Sequence, residues 1–231
     1  YDKFFKVQEQ VQRSVYWWNK VATYAQRKPS PLNGFDLFNY MALIVCARAR
    51  DYAEITFHKF ADELEAKDAA GQYAFGAPEN EKHRVTWEGI AVWPCLGATS
   101  KPLKALNCNV VGSTYPGAWS IHYEVGDLEA MAAGYSKMYS NTCLENKVDV
   151  ISTVLETTHC TGITYHLNRS CKLMDFLNVE TAELVKERTG VPYVSFDGDQ
   201  ADPRAFSPAQ YETRVQALAE IMEQNAQESA N

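Results

Sequence analysis

From about residue 85 onward the chain alternates short β-type runs with amphipathic helical segments, and this alternation constrains the fold more than any other feature. Val85, Trp87, Gly89, Ala91 and Trp93 mark a strand-like stretch, and Asn109-Val110-Val111-Gly112 is a short buried strand candidate. Gly162 to Tyr165 and Val191 to Phe196 have the same character. Between them lie helix signals. Asp127 is placed to cap a helix running to about Tyr139, and Thr142-Cys143-Leu144-Glu145 has the form of a capping box ahead of Val148, Ile151 and Leu155. A helix from about Asn178 stops at Gly190, a natural left-handed terminus. Ser207-Pro208-Ala209-Gln210 opens a last helix with the apolar stripe Tyr211, Val215, Leu218 and Met222. Strands alternating with helices predict an α/β fold: a doubly wound, mostly parallel sheet with flanking helices.

Residues 1 to about 70 read differently. Val7, Val11, Val15, Trp18 and Ala22 fall on one helical face, Lys28 to Gly34 breaks the pattern, and Ile55, Phe57, Ala61 and Leu64 suit a second packed face. The expected organisation is a helical segment over 1–70, linking to a missing N-terminal domain, and a Rossmann or flavodoxin-like domain over 80–231. With 231 residues and 46% hydrophobic composition the chain can bury a sizeable core. A net charge of -7 supplies no basic surplus for a nucleic-acid backbone. No apolar run reaches the ~20 residues of a membrane span, and the first residues lack signal-peptide character. The expectation is a cytoplasmic protein that contacts neither nucleic acid nor membrane.

Six cysteines, at 46, 95, 108, 143, 160 and 171, form no CxxC pair. The predicted topology sorts them. In a parallel sheet all strand C-termini share one edge, where ligands bind, so Cys95 and Cys171 belong to that edge and Cys108 and Cys160 to the opposite one. At most two thiols meet in one crevice, too few for an iron-sulfur cluster or a structural zinc held by this chain alone. Cys171 ends the polar run His166-Leu167-Asn168-Arg169-Ser170-Cys171, directly after a predicted strand. Three readings stay open for it. As a nucleophile it needs a base, for which His166 is the nearest candidate; as a metal ligand it profits from Arg169, Lys172 and backbone N–H groups; as a packing residue it needs neither. A second polar cluster, Asp197 to Arg204, suits turn and capping chemistry better than a hard-metal site.

The strand motif Arg84 to Pro94, together with Gly117-Ala118-Trp119, His166 to Lys172 and Phe196 to Arg204, resembles the 2-hydroxyacyl-CoA dehydratase and benzoyl-CoA reductase family. The likeness covers nearly the whole chain and is nearest to the smaller, β-type dehydratase subunit. It implies an oxygen-sensitive heterodimeric lyase in which an ATP-dependent activator injects one electron and an (R)-2-hydroxyacyl-CoA loses water through a ketyl radical anion. The partners implied are an α-type dehydratase subunit, the iron-sulfur activator and the acyl-CoA. The resemblance further implies a 4Fe-4S cluster with Cys171 as one ligand, its other ligands lying outside this chain, and with His166, Asn168, Arg169 and Ser170 around it. The chain is then an electron-relay subunit. A benzoyl-CoA reductase-type subunit and a cluster-free scaffold are the alternatives.

Overall fold

In the computed structural model, which describes residues 1–229, the chain divides into two compact units. The first comprises residues 1–74 and 115–142, the second, among the described residues, 75–114 and 143–229.

The first unit is helical. Asp2–Ala22, Gly34–Cys46 and Asp51–Ala69 carry its core, in which Val15, Trp18, Phe38 and Phe57 are buried. Trp18 and Phe57 meet with ring centroids 5.0 Å apart. Of the expected stripes, Val11, Val15, Phe57, Ala61 and Leu64 are buried, whereas Val7 and Ile55 face solvent. The 115–142 segment joins this unit through side chains that satisfy its backbone. The Trp18 indole N–H donates to the Pro116 carbonyl, the Gln12 amide to the Ile121 carbonyl, and the Gly126 N–H to the Gln8 side chain. Its helix, Leu128–Ser136, is capped by Asp127 as expected.

The second unit is a four-stranded sheet of β1 (His83–Glu88), β2 (Cys108–Gly112), β3 (Gly162–Asn168) and β4 (Tyr193–Gly198). Its order is β2-β1-β3-β4 and every pairing is parallel. Helices Leu144–Thr158 and Asn178–Thr189 pack together on one face; Leu96–Ala105 and Pro208–Ser229 pack together on the other. The strand pleat fits this division. Thr86 and Glu88 face the Leu144–Thr158 side, while Val85 and Trp87 face Tyr211 of the last helix, whose stripe Tyr211, Val215, Leu218 and Met222 is wholly buried. This is the doubly wound α/β arrangement that alternation predicts, preceded by a helical segment.

Several details differ from the sequence reading, among them β4, which spans Tyr193–Gly198 where Val191 to Phe196 was expected. β1 stops at Glu88 because Gly89 turns the chain with φ +89°, so Ile90 to Val92 are buried outside the ladder. β3 runs on through His166 to Asn168, three residues beyond the expected end. The capping box does not form: Cys143 is the N-cap of the Leu144–Thr158 helix, and the Thr142 hydroxyl donates to the Tyr139 carbonyl instead. Gly190, with φ +71°, ends the Asn178–Thr189 helix as predicted. Among the described residues no helix is long and apolar enough to cross a membrane.

Candidate functional site at the sheet edge

The chain leaves β1 toward β2 on one side and returns to β3 on the other, so the order reverses between β1 and β3. Open α/β sheets bind ligands outside the C-terminal strand ends at such a point. Four connections meet there: 89–92, 113–114, 169–171 and 199–202.

Close backbone approach defines the crevice wall. A Cβ on Gly89 would lie 2.6 Å from the His166 carbonyl oxygen, and one on Gly198 would lie 2.5 Å from His166 Nε2. Only glycine fits at either place. His166 itself is fully buried and stacked on Phe196 at 5.3 Å. Its Nδ1 lies 2.5 Å from the Ile90 carbonyl oxygen. A carbonyl only accepts, so Nδ1 carries the proton and His166 binds β3 to the loop after β1. Burial pushes its pKa down, with the Ile90 carbonyl and the nearby Asp175 and Asp199 carboxylates opposing.

Asn168 ties the same edge to β4. Its buried side-chain oxygen accepts from the Gln200 N–H at 3.1 Å and from the Ser170 hydroxyl at 3.3 Å, while the Arg169 N–H donates to the Gly198 carbonyl. Asp199 accepts from the N–H groups of Ala201 and Asp202, which hold its carboxyl below the usual range. Asp202 accepts from Arg204, whose side chain and N–H pull its pKa to about 2. Turn and capping chemistry thus accounts for Asp199 and Asp202.

The five residues singled out in the sequence therefore separate. His166 and Asn168 are strand residues turned inward, with His166 engaged by Ile90 and out of use as a base for Cys171. Arg169, Ser170 and Cys171 form the outer lip. Arg169 is exposed and 3.6 Å from Asp197, Ser170 is exposed, and Cys171 is half-buried where a four-residue helix, Lys172–Asp175, begins. Cys95, also half-buried, follows β1 on the edge expected of it, and Cys108 and Cys160 are buried at the opposite end. Beside β4 lies a cleft of about 570 Å³ lined by Phe196, Asp197, Ser207, Gln210, Tyr211 and Arg214.

Sequence reasoning missed Glu88. The last residue of β1 is fully buried and accepts from both the N–H and the hydroxyl of Thr114. Burial raises its pKa to about 8, although the Thr114 bonds and the Lys147 ammonium act to lower it. Lys147 is itself buried, which lowers its pKa against the attraction of Glu88. The signal was present as a lone carboxyl inside the apolar run from Val85 to Val92.

Residues 1–222 match the family described as 2-hydroxyglutaryl-CoA dehydratase, D-component. The chain is 60% identical over 225 residues to "Lactoyl-CoA dehydratase subunit alpha" of Anaerotignum propionicum, covering 96% of this chain and 53% of that protein. It is 45% identical over 208 residues to "(R)-2-hydroxyisocaproyl-CoA dehydratase alpha subunit" of Clostridioides difficile, covering 90% and 50%. With "(R)-phenyllactyl-CoA dehydratase alpha subunit" of Clostridium sporogenes it shares 41% over 221 residues, covering 96% and 53%. The chain spans about half the length of these relatives.

Two expectations are overturned. These relatives are named alpha subunits, which replaces the β-type, electron-relay reading. The 4Fe-4S cluster that the family resemblance implied, with Cys171 as one ligand, is overturned as well: the relatives are alpha subunits, and among the described residues no group of three or more His, Cys, Asp or Glu side chains gathers to hold a metal ion. What remains is carried by the match over residues 1–222 and by the identity to the named relatives: the chain belongs to the 2-hydroxyglutaryl-CoA dehydratase, D-component family.

Proposed function

We propose that this chain is part of an alpha-type subunit of a 2-hydroxyacyl-CoA dehydratase, a hydro-lyase that removes water from a 2-hydroxyacyl thioester in partnership with a second subunit. The observation that carries this reading is the 60% identity, over 96% of the chain, to a lactoyl-CoA dehydratase subunit alpha. The sheet edge supports it from the side of geometry. His166 and Asn168 lock two strand-to-loop junctions together, and a rigid scaffold of that kind holds the Arg169-Ser170-Cys171 lip in a fixed position beside the switch point. On this reading the lip faces the reaction chamber and His166 and Asn168 are positioning residues. The substrate class is a short (R)-2-hydroxyacyl-CoA, with lactoyl-CoA as the first compound to try. Breaking its C2–O bond and removing a C3 proton leaves acryloyl-CoA and water. The ATP-dependent activator implied by the family resemblance completes the system.

The test is an anaerobic assay of the intact subunit, co-produced with its partner subunit and supplied with activator, ATP and reductant. Lactoyl-CoA, 2-hydroxyisocaproyl-CoA, phenyllactyl-CoA and benzoyl-CoA are offered separately. Conversion of lactoyl-CoA to acryloyl-CoA is the expected result. Failure to dehydrate any 2-hydroxyacyl thioester, or reduction of benzoyl-CoA in their place, overturns the reading.

A further inference from the structure

Glu88 ends β1 at the switch point, wholly buried on the face covered by the Leu144–Thr158 helix. An apolar side chain would serve packing there at least as well, and buried ionisable groups with shifted pKa values gather at functional sites. Its two oxygens do different things. Oε1 accepts the Thr114 N–H at 3.2 Å, and Oε2 lies 2.5 Å from Thr114 Oγ. Either of two protons can bridge that short contact. With the carboxyl ionised, the hydroxyl gives its one proton to Oε2 and has none left to donate elsewhere. With the carboxyl protonated, Oε2–H donates to Oγ, and the hydroxyl's own proton turns away from Glu88. The state of Glu88 therefore sets whether Thr114 presents a donor.

The surroundings suit a group that gives up a proton and regains it. Lys147, 3% exposed, faces Glu88 from the Leu144–Thr158 helix, and the buried Tyr165 of β3 lies opposite it in the ladder, on the same face of the sheet. Burial raises the Glu88 pKa to about 8, so the carboxyl holds a proton at neutral pH, while the Lys147 ammonium steadies the carboxylate once the proton has left. Thr114 is only 4% exposed, which keeps bulk water from the pair. We propose that Glu88 and Thr114 form a proton relay for dehydration: Thr114 donates to the oxygen departing from C2 of the hydroxyacyl thioester, and Glu88 replaces the proton. The C2–O bond breaks with its electron pair on oxygen, which takes the Thr114 proton and leaves as water. The proton removed from C3 in the same elimination, whose bonding pair forms the C2–C3 double bond, restores Glu88 by way of Thr114. Thr114 touches substrate in this assignment, and Glu88 acts through it. The inference rests on the dehydratase reading above and deepens it.

The experiment uses the intact subunit co-produced with its partner, in the anaerobic lactoyl-CoA assay, with a thermal midpoint recorded for every variant. Glu88→Gln keeps an oxygen for the Thr114 N–H and carries no transferable proton. It is expected to lower kcat about a hundredfold or more with KM nearly unchanged. For the unsubstituted enzyme kcat should fall as the pH rises through about 8, and this limb should vanish in the variant. Thr114→Val should lose as much and Thr114→Ser should regain most of it. Glu88→Gln combined with Thr114→Val should be no worse than either alone, as for two members of one relay. A Glu88→Gln enzyme of undiminished kcat overturns the proposal, and so does a slow one that keeps the pH limb, since a merely structural role would leave it in place. If Glu88→Gln does not fold, the threonine variants decide: Thr114→Val at full kcat, or Thr114→Ser as slow as Thr114→Val, overturns it. If the unsubstituted enzyme dehydrates no 2-hydroxyacyl thioester, the dehydratase reading itself fails, and this inference with it.

Discussion

Asn168 and Gln200 join the two loops at the rim of the sheet: the Asn168 side-chain oxygen, at the end of β3, accepts the Gln200 N–H beyond β4 at 3.1 Å. The same oxygen receives the Ser170 hydroxyl, so one buried acceptor orders both sides of the crevice. Asn168→Leu keeps most of the volume and removes the acceptor. It is expected to destabilise the chain by about 1–3 kcal/mol in urea unfolding, the cost of leaving a buried donor unmet. Native-state hydrogen exchange should show the Gln200 amide losing more protection than the β1 amides. Equal losses at both places would mean that Asn168 does not tie the loops.

Gly89 and Gly198 crowd opposite ends of His166, and the two contacts differ in what can yield. At Gly198 the obstacle is an imidazole, whereas at Gly89 it is the His166 backbone carbonyl, and Gly89 also needs φ +89°. Gly89→Ala is therefore expected to be the more damaging substitution, by several kcal/mol, combining backbone strain with overpacking. Adding His166→Ala should relieve Gly198→Ala and leave Gly89→Ala unrelieved. Thermal midpoints of the four variants decide it, and an equal rescue of both glycines would contradict this account.

Much of the sheet was legible because a parallel strand buried on both faces must read as an apolar run, and the helix caps at Asp127 and Gly190 carry chemistry that few other positions use. What misled was polarity. His166 and Asn168 read as loop residues, yet they continue β3, since buried polar groups are tolerated in a central strand when neighbouring backbone satisfies them. Neither partner, Ile90 nor Gln200, is a sequence neighbour. Glu88 escaped for the same reason: its hydrogen-bond partner Thr114 lies beyond β2. The return of 115–142 to the helical unit is likewise written in long-range bonds from Gln8, Gln12 and Trp18, which no local pattern announces. The subunit type failed differently: the quoted motifs pointed to the β-type subunit, and the relatives are named alpha subunits.

Glu81 and Arg84 form a buried ion pair at the opposite end of β1, each side chain only 3% exposed. Arg84 also donates to the Thr158 carbonyl at 2.7 Å, and Glu81 accepts from Asn109 at 2.7 Å. Removing one member strands a charge, so Glu81→Ala is expected to cost about 3–5 kcal/mol. Glu81→Met with Arg84→Met should cost much less than the two single substitutions together, because no charge is left behind. A double-mutant cycle by denaturant unfolding measures the coupling, and additivity would show the pair to be energetically independent.

Glu88 makes stability depend on pH in a direction opposite to that of an ordinary paired carboxylate. Burial raises its pKa in the folded chain to about 8, from 4.5 in the open chain, so the folded state holds this proton more tightly. The resulting stabilisation is fully present below about pH 4.5 and is lost as the pH rises through about 8, an effect of order a few kcal/mol at most. Glu88→Gln keeps an oxygen for the Thr114 N–H and cannot ionise. The difference in unfolding free energy between native chain and variant should therefore shift against the native chain by that amount between pH 5 and pH 9, read from urea titrations at several pH values. Lys147 sets the position of the change: its ammonium favours the ionised carboxyl, so Lys147→Met should move the Glu88 transition to still higher pH. A stability difference that stays flat across the range would show that Glu88 is ionised in the fold and held as an ion pair with Lys147.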